Sequence, residues 1–376
     1  MNYRDAVTLR AEFLGALLQD RADYVPNAEL LDFALHQELG PMVYFHWHDL
    51  LPEDCVGIFR KSYMASAAMD MKFSAAYTEI KNILDSEKVA YAPLKGMGLI
   101  RQNIYANGAL RLHCDIDLLL KNQDDCCSAW TLLQEKGWKS SGNIEKYHHL
   151  PPLYRGNVML EIHHLLPGVR DGELTESLWK NDLIPQHGSC EYLLPAELHW
   201  AVLLSHVAIN HDWEHGAKFL TDAGMLLKYP GFNQEKCFDF CHKIGINNPE
   251  NLLLAFPEIF GGSAKPDGFA DLRVHALEAA IPFEALLMTH GYPFSLRWWR
   301  KRLEGFRPSW LRQKYNIPDA PAGKMLKFMW LDYRKKISKG FKFIFAKKTA
   351  DERIKNSDNA RKQLGISVQN EVLRHI

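Results

Sequence analysis

No stretch of this chain approaches the roughly 18 uncharged apolar residues that a membrane-crossing helix needs. Its opening residues, MNYRDAVTLRAEFLGALLQD, carry charges throughout and show no compact apolar core before a small-residue cleavage site, so no signal peptide is expected. The chain also lacks net charge: 45 Lys and Arg balance 45 Asp and Glu. That excludes a global basic field, and stable nucleic-acid binding is not expected. Cysteines are few, odd in number and scattered, and Cys126 is adjacent to Cys127. This pattern excludes an ordinary disulfide framework and fits a reducing cytoplasm. Cys237, Cys241 and His242 lie close together but match no zinc spacing. Repeats and low-complexity tracts are missing, and Gly96-Met97-Gly98 is neither a Walker loop nor a dinucleotide fingerprint.

What remains is an ordinary globular composition, 47% hydrophobic and 24% charged, in 376 residues. That length allows one large domain or two to three modules. The charge is unevenly spread. From Lys301 to Ile376, 19 Lys and Arg face 7 Asp and Glu, which leaves 26 against 38 in residues 1–300. The basic segment is interleaved with aromatics: Trp298, Trp299, Arg300, Lys301 and Arg302, then Lys335, Lys336, Lys339, Lys342, Lys347 and Lys348. A solvated helix face with its tryptophans in a core is the favoured reading. Peripheral contact with an anionic membrane surface is the less favoured one.

Hydrophobic periodicity divides the chain. Residues 1–87 read as helices, with apolar residues at three-to-four spacing in AEFLGALLQD, NAELLDFALHQEL and the alanine-rich MASAAMDMKFSAAYTEIKNILDSEK. The texture then changes. VAYAPLKG is a short apolar run ending at glycine and predicts a strand. GMGLIRQNIY predicts a helix, DIDLLL a strand, and NQDDCCSAWTLLQEKG a helix capped by Asn122 or Asp124 and stopped at Gly137. Trp138 opens an extended segment, and EKYHHLPPLYRGNVMLEIHHLL predicts two strands about a turn at Arg155-Gly156-Asn157. Helices return from Pro195. The expected organisation is a helical region over 1–87, an α/β core over 88–194, a helical domain over 195–350 and a polar tail over 351–376. The fold class is α+β.

The core contains RLHCDIDLLL. Asp115 and Asp117 are one residue apart on a predicted strand, so both point the same way while Ile116 points to the packed face. Asp-x-Asp by itself also fits a solvent-exposed strand face. Buried and unpaired, the two carboxylates would take up protons; a divalent cation removes their repulsion. Mg²⁺ favours carboxylate oxygen and often bridges to substrate phosphates, with Mn²⁺ as the alternative ion. Glu161, in the strand-like VMLEIHH, is the candidate third acid. Upstream, PLKGMG runs from a strand through glycine into a helix. Gly96 permits close backbone approach to a phosphate and Lys95 adds a positive charge there.

In this order, strand, Lys-Gly turn, helix, Asp-x-Asp strand, helix and hairpin with one acid, the chain resembles the DNA polymerase β-type nucleotidyltransferase superfamily. Within it, the closer likeness is to a bacterial family of uncharacterised nucleotidyltransferases. Leu94-Lys95-Gly96, Tyr105, Arg111, Asp115-Ile116-Asp117-Leu118-Leu119, Gly137-Trp138 and Glu161-Ile162-His163 carry it. Leu220-Thr221-Asp222 and the stretch from Pro308 to Tyr315 extend it more loosely. The superfamily turn usually reads Gly-Gly or Gly-Ser, whereas Met97 follows Gly96 here, so a hydroxyl that could bind phosphate is missing.

The resemblance implies a polymerase β-like core with a small mixed sheet, flanked by N-terminal and C-terminal helical regions. It implies transfer of a nucleoside monophosphate from an NTP to an acceptor. Two Mg²⁺ ions would be held by Asp115, Asp117 and Glu161, the same residues forming the catalytic set. Glu161 is the expected proton acceptor. Lys95 and Gly96 would meet the phosphates. Arg111 would either neutralise the leaving group or pair with a core carboxylate. By strand alternation His163 shares the face of Glu161; it either hydrogen-bonds a phosphate or the acceptor beside the site or is a half-buried histidine bonded to backbone. His149 and His206 read as structural or supporting, and Asp222 either closes the pocket or caps a helix. The acceptor stays open among small molecules, sugars, peptides and proteins. Two rival readings remain. One is a family member that has lost catalysis and acts as a binding or regulatory protein. The other is a metal-dependent phosphohydrolase built on His211-Asp212.

Overall fold

The computed structural model describes residues 3–140, 150–167, 169, 172–207, 216–246 and 249–260. The elements run α1 (Tyr3–Leu18), α2 (Ala28–His36), α3 (Gly40–Trp47), α4 (Glu53–Ser86), β1 (Tyr91–Leu94), α5 (Lys95–Arg101), a 3₁₀ turn (Gly108–Leu110), β2 (Ile116–Leu120), α6 (Gln123–Glu135) and β3 (Lys139–Ser140). They continue β4 (Leu153–Arg155), β5 (Val158–His163), α7 (Gly172–Asn181), β6 (Ile184–Pro185), β7 (Tyr192–Leu193), α8 (Ala196–Ser205), α9 (Gly216–Leu227), α10 (Gln234–Lys243), α11 (Glu250–Ala255) and α12 (Pro257–Phe260). This is the expected α+β chain, a small mixed sheet among many helices.

Five strands form the main sheet in the order β1-β2-β5-β4-β3. The β1 strand runs antiparallel to β2, β2 parallel to β5, and β5 antiparallel to β4. The parallel step needs a crossover, which α6, β3 and β4 supply. Asn122 is the N-cap of α6, its side chain accepting from the Asp125 amide, and Gly137 takes a φ of 97° just beyond the helix end. The turn between β4 and β5 uses Gly156 at a φ of 59°.

Alternation sorts the sheet's two faces. Ile116, Leu118 and Leu120 of β2 and Val158, Leu160 and Ile162 of β5 share a buried cluster with Phe73, Tyr77 and Ile80 of α4 and Ala129 and Leu133 of α6. Met97 belongs to this cluster and is 2% exposed. The opposite face carries Asp117, Leu119, Glu161 and His163. A second, larger apolar cluster joins α1–α3 to α8–α12 and includes Ala92, Leu94 and Leu119. The carboxylate-bearing face therefore lies toward the helices and the other is sealed by α4 and α6.

Several expected bounds shift. The helix after β1 begins at Lys95 and ends at Arg101, so Gln102 to Tyr105 are not helical. The helix read as starting near Met64 begins at Glu53 and spans 34 residues. Asp115 stands just before β2 rather than within it. The short β6–β7 pair, which carries no long apolar run, had no counterpart in the sequence reading. All seven cysteines are free, and Cys237 and Cys241 are buried on α10. Among the described residues no helix is long and apolar enough to cross a membrane. His148, His149, His211, Asp212, His215, the basic aromatic segment and Pro308 to Tyr315 lie outside the described residues.

Candidate metal and phosphate site

Two adjacent parallel strands build the centre. In the β2–β5 register Asp117 stands beside Glu161, and His163 follows two residues on, on the same face. The β1–β2 ladder pairs Leu94 with Asp117, so the next residue, Lys95, starts α5 directly against the acidic end of β2. Lys95 adopts a left-handed φ of 46°, a conformation that costs a side-chain-bearing residue about 1–2 kcal/mol. That turn sends its ammonium inward.

The Lys95 Nζ donates to Asp117 Oδ1 at 2.7 Å, and His163 Nε2 lies 2.9 Å from the same oxygen. His163 Nε2 is also 3.5 Å from Glu161 Oε2. Asp117 and His163 are each 1% exposed. The ligand atoms of Asp117, Glu161 and His163 all lie within 4.8 Å of one another, a grouping that could hold a metal ion. Asp115 is outside that group.

The charges explain each other. Burial alone would push the Asp117 carboxyl up; the Lys95 ammonium and the His163 hydrogen bond outweigh it and hold the group well below the usual carboxylate range. The negative charge on Asp117, then burial, raises Asp115 to about 6. The His163 hydrogen bond keeps Glu161 low. Burial would lower Lys95 and His163, yet both are raised, Lys95 chiefly by Asp117 and Asp115, His163 by its bonds to Asp117 and Glu161. His163 is thus a donor at Nε2 toward an ionised Asp117. Asp117 is compensated by the Lys95 ammonium and by the His163 N–H, both side chains of the chain itself.

Arg111 is committed elsewhere. Its Nε and Nη2 form a fork on Asp222 of α9 at 2.8 and 2.9 Å, and Tyr105 donates to Asp222 Oδ1 at 2.5 Å. Of its two expected roles, pairing with a carboxylate is the one seen, and the partner is Asp222. Asp222 is buried in this pairing rather than capping a helix. The third guanidinium nitrogen, Nη1, lies over Gly96 so closely that a Cβ there would collide with it. The absence of a side chain at Gly96 is therefore needed by Arg111 as well as by any ligand. His113 lies against the same glycine, stacks on Phe73 and faces Asp70, its Nε2 3.4 Å from Asp70 Oδ1.

Beneath the turn, His199 of α8 packs against Gly98. Gln102 Nε2 donates to the Leu194 carbonyl at 2.9 Å and lies 3.0 Å from His199 Nδ1. The carbonyl fixes the amide orientation, so Nδ1 accepts and the ring proton sits on Nε2. Burial lowers His199 to about 4, leaving it neutral.

Of the residues expected from sequence, Lys95, Asp117, Glu161 and His163 come together, with Asp115 near enough to feel Asp117. Gly96 and Arg111 touch each other one layer away. His206 is the C-cap of α8 and is not among the grouped ligand residues. His113, Gln102 and His199 were missed. His113 alternates with Arg111, Asp115 and Asp117 in RLHCDID, a visible signal. Gln102 and His199 are brought in by tertiary packing alone.

A comparison with protein families finds that the family described as uncharacterised nucleotidyltransferase matches residues 25–261, more than half of the chain. No curated protein and no solved structure matches it.

Proposed function

We propose, from the premise that the chain belongs to the uncharacterised nucleotidyltransferase family, that it transfers a nucleoside monophosphate from an NTP to an acceptor hydroxyl or phosphate. The observation that carries this reading is the side-by-side register of Asp117 and Glu161 on neighbouring strands, with Asp115 at the strand entrance. The residues fit a divalent ion: carboxylate oxygens converge on one face, and Mg²⁺ or Mn²⁺ is the class they suit. Asp117 and Glu161, with Asp115, would hold it. When bound, it supplies charge neutralisation at the transferring phosphorus and activation of the acceptor, in the manner of two-metal phosphoryl chemistry.

The chain's own groups do the rest. The apolar strand faces hold the acids still, with Ile116 and Leu118 fixed in the core below. Lys95 holds Asp117 ionised and, with Gly96, is proposed to meet the phosphates. Glu161, on the face it shares with Asp117, is the carboxylate proposed to take the acceptor proton. Arg111, clamped by Asp222, braces the Gly96 turn.

The test is pyrophosphate release from each of the four NTPs with a panel of acceptors and Mg²⁺ or Mn²⁺. Asp117→Asn and Glu161→Gln should each abolish turnover while the circular dichroism spectrum is kept. Wild-type turnover in Asp117→Asn would refute the mechanism. One observation favours the regulatory reading: Lys95 and His163 already satisfy Asp117 without a metal, and Met97 is buried where the superfamily offers a hydroxyl. Absence of NTP binding at millimolar concentration, with Mg²⁺ present, would decide for it.

A further inference from the structure

We infer that His163 is a direct ligand of the bound cation, so that the site selects a divalent transition ion such as Mn²⁺ or Co²⁺ over Mg²⁺. The inference rests on the proposed function's metal site and specifies its chemistry.

Geometry comes first. A cation with bonds of about 2.1 Å needs two ligands at right angles to be about 3.0 Å apart, and at a tetrahedral angle about 3.4 Å apart. His163 Nε2 is 2.9 Å from Asp117 Oδ1 and 3.5 Å from Glu161 Oε2. These edges are already those of a coordination sphere. All three ligand atoms come from two hydrogen-bonded strands and lie within 4.8 Å of one another.

Burial comes second. The His163 side chain is 2% exposed and its Nε2 is aimed between two carboxylates. It cannot swing to solvent when an ion enters. An ion seated between Asp117 and Glu161 therefore meets His163 Nε2 and takes it as a ligand. The Lys95 ammonium shares Asp117 Oδ1 and is the competitor the ion displaces.

Ligand chemistry then sets the ion. Mg²⁺ demands oxygen and gives up water reluctantly, whereas imidazole suits first-row transition ions. A site of carboxylates alone would have remained a hard-ion site; one nitrogen among the ligands shifts the preference.

The experiment uses the purified full chain, with Mn²⁺ and Mg²⁺ binding measured by calorimetry and pulsed electron paramagnetic resonance recorded on the Mn²⁺-loaded protein. We expect a nitrogen coupling from a directly bound imidazole, and at least tenfold tighter binding of Mn²⁺ than of Mg²⁺. His163→Gln, which keeps an amide donor for Asp117, should remove the coupling and weaken Mn²⁺ tenfold or more while changing Mg²⁺ less than threefold. No nitrogen coupling in the wild type, or a parallel fall for both ions in the variant, would overturn the inference and leave the carboxylate site standing. No Mn²⁺ binding at all would overturn both the inference and the metal-dependent function. Should His163→Gln not fold, Asp117→Asn decides: a nitrogen-coupled signal that disappears supports the assignment, and one that survives arises elsewhere and overturns it.

Discussion

Lys95→Met tests the electrostatic account of the site most directly. Methionine keeps an unbranched stem in the same space and removes the ammonium. Asp117, 1% exposed, then loses the donor at 2.7 Å and remains ionised in a dry environment. Breaking a buried pair from one side costs about 3–5 kcal/mol. His163 still donates to the same oxygen, which places the expected loss at the lower end, about 3 kcal/mol. For a domain of some 150–250 residues each kcal/mol moves the melting temperature by about 2–4 °C, so a drop of roughly 6–12 °C is expected. Scanning calorimetry in the presence of EDTA measures it. The double variant Lys95→Met, Asp117→Asn removes the stranded charge and should melt well above the single variant. Added Mn²⁺ should raise Lys95→Met more than it raises the wild type, because the ion takes over the role of the ammonium. If Lys95→Met melts within about a degree of wild type in EDTA, or if the second substitution recovers nothing, the ammonium is not what compensates Asp117.

Other outcomes follow from particular contacts. Asp222→Asn leaves the Arg111 guanidinium buried without its counter-charge and should destabilise by about 3–5 kcal/mol, with Arg111→Met in the same chain recovering part of the loss in a denaturant titration. Gly98→Ala places a Cβ 2.6 Å from the Pro93 carbonyl oxygen, a backbone atom that cannot turn aside, and 2.8 Å from the His199 ring. Its expected cost is about 1–3 kcal/mol, whereas Gly57→Ala, with nothing within 4 Å in α4, should stabilise by about 0.5–1 kcal/mol. Glu191 is buried and accepts from Tyr77 at 2.7 Å and from Arg101 at 2.8 and 3.0 Å. Burial would raise its carboxyl, but Arg101 and Tyr77 lower it below its ordinary value of 4.5. A carboxylate depressed on folding stabilises above its unfolded value and loses that contribution as pH falls through its folded value. The melting-temperature gap between wild type and Glu191→Gln should therefore be full near neutrality and close progressively below about pH 4.5; a gap that widens on acidification would contradict the linkage.

The reading of the sequence succeeded wherever the information was local. A period of two assigned the faces within DIDLLL and within VMLEIHH, so Ile116 opposite Asp117 and His163 on the side of Glu161 were visible from spacing alone; that the two strands turn these residues to one side of the sheet was not. Cap and turn chemistry marked Asn122, Gly137 and Gly156. The helix after β1 was overextended because Gln102 to Tyr105 carry no strong breaker; their conformation answers to Gln102 bonding Leu194 and to Tyr105 reaching Asp222, partners 92 and 117 residues away.

The sequence by itself determined that this chain is α+β, that it carries an acid pair at the start of an apolar strand after a Lys-Gly turn, and which side chains of one strand share a face. These follow from backbone geometry repeated every two or 3.6 residues. Only the tertiary structure decided which cations answer which acids. The antiparallel ladder set Leu94 against Asp117, and that register turned Lys95 onto the carboxylate. The parallel ladder set Asp117 against Glu161 and brought His163 to the same oxygen. The packing of α9 under the site withdrew Arg111 to Asp222. Register and helix packing are contacts between residues distant in sequence, and no local period encodes them.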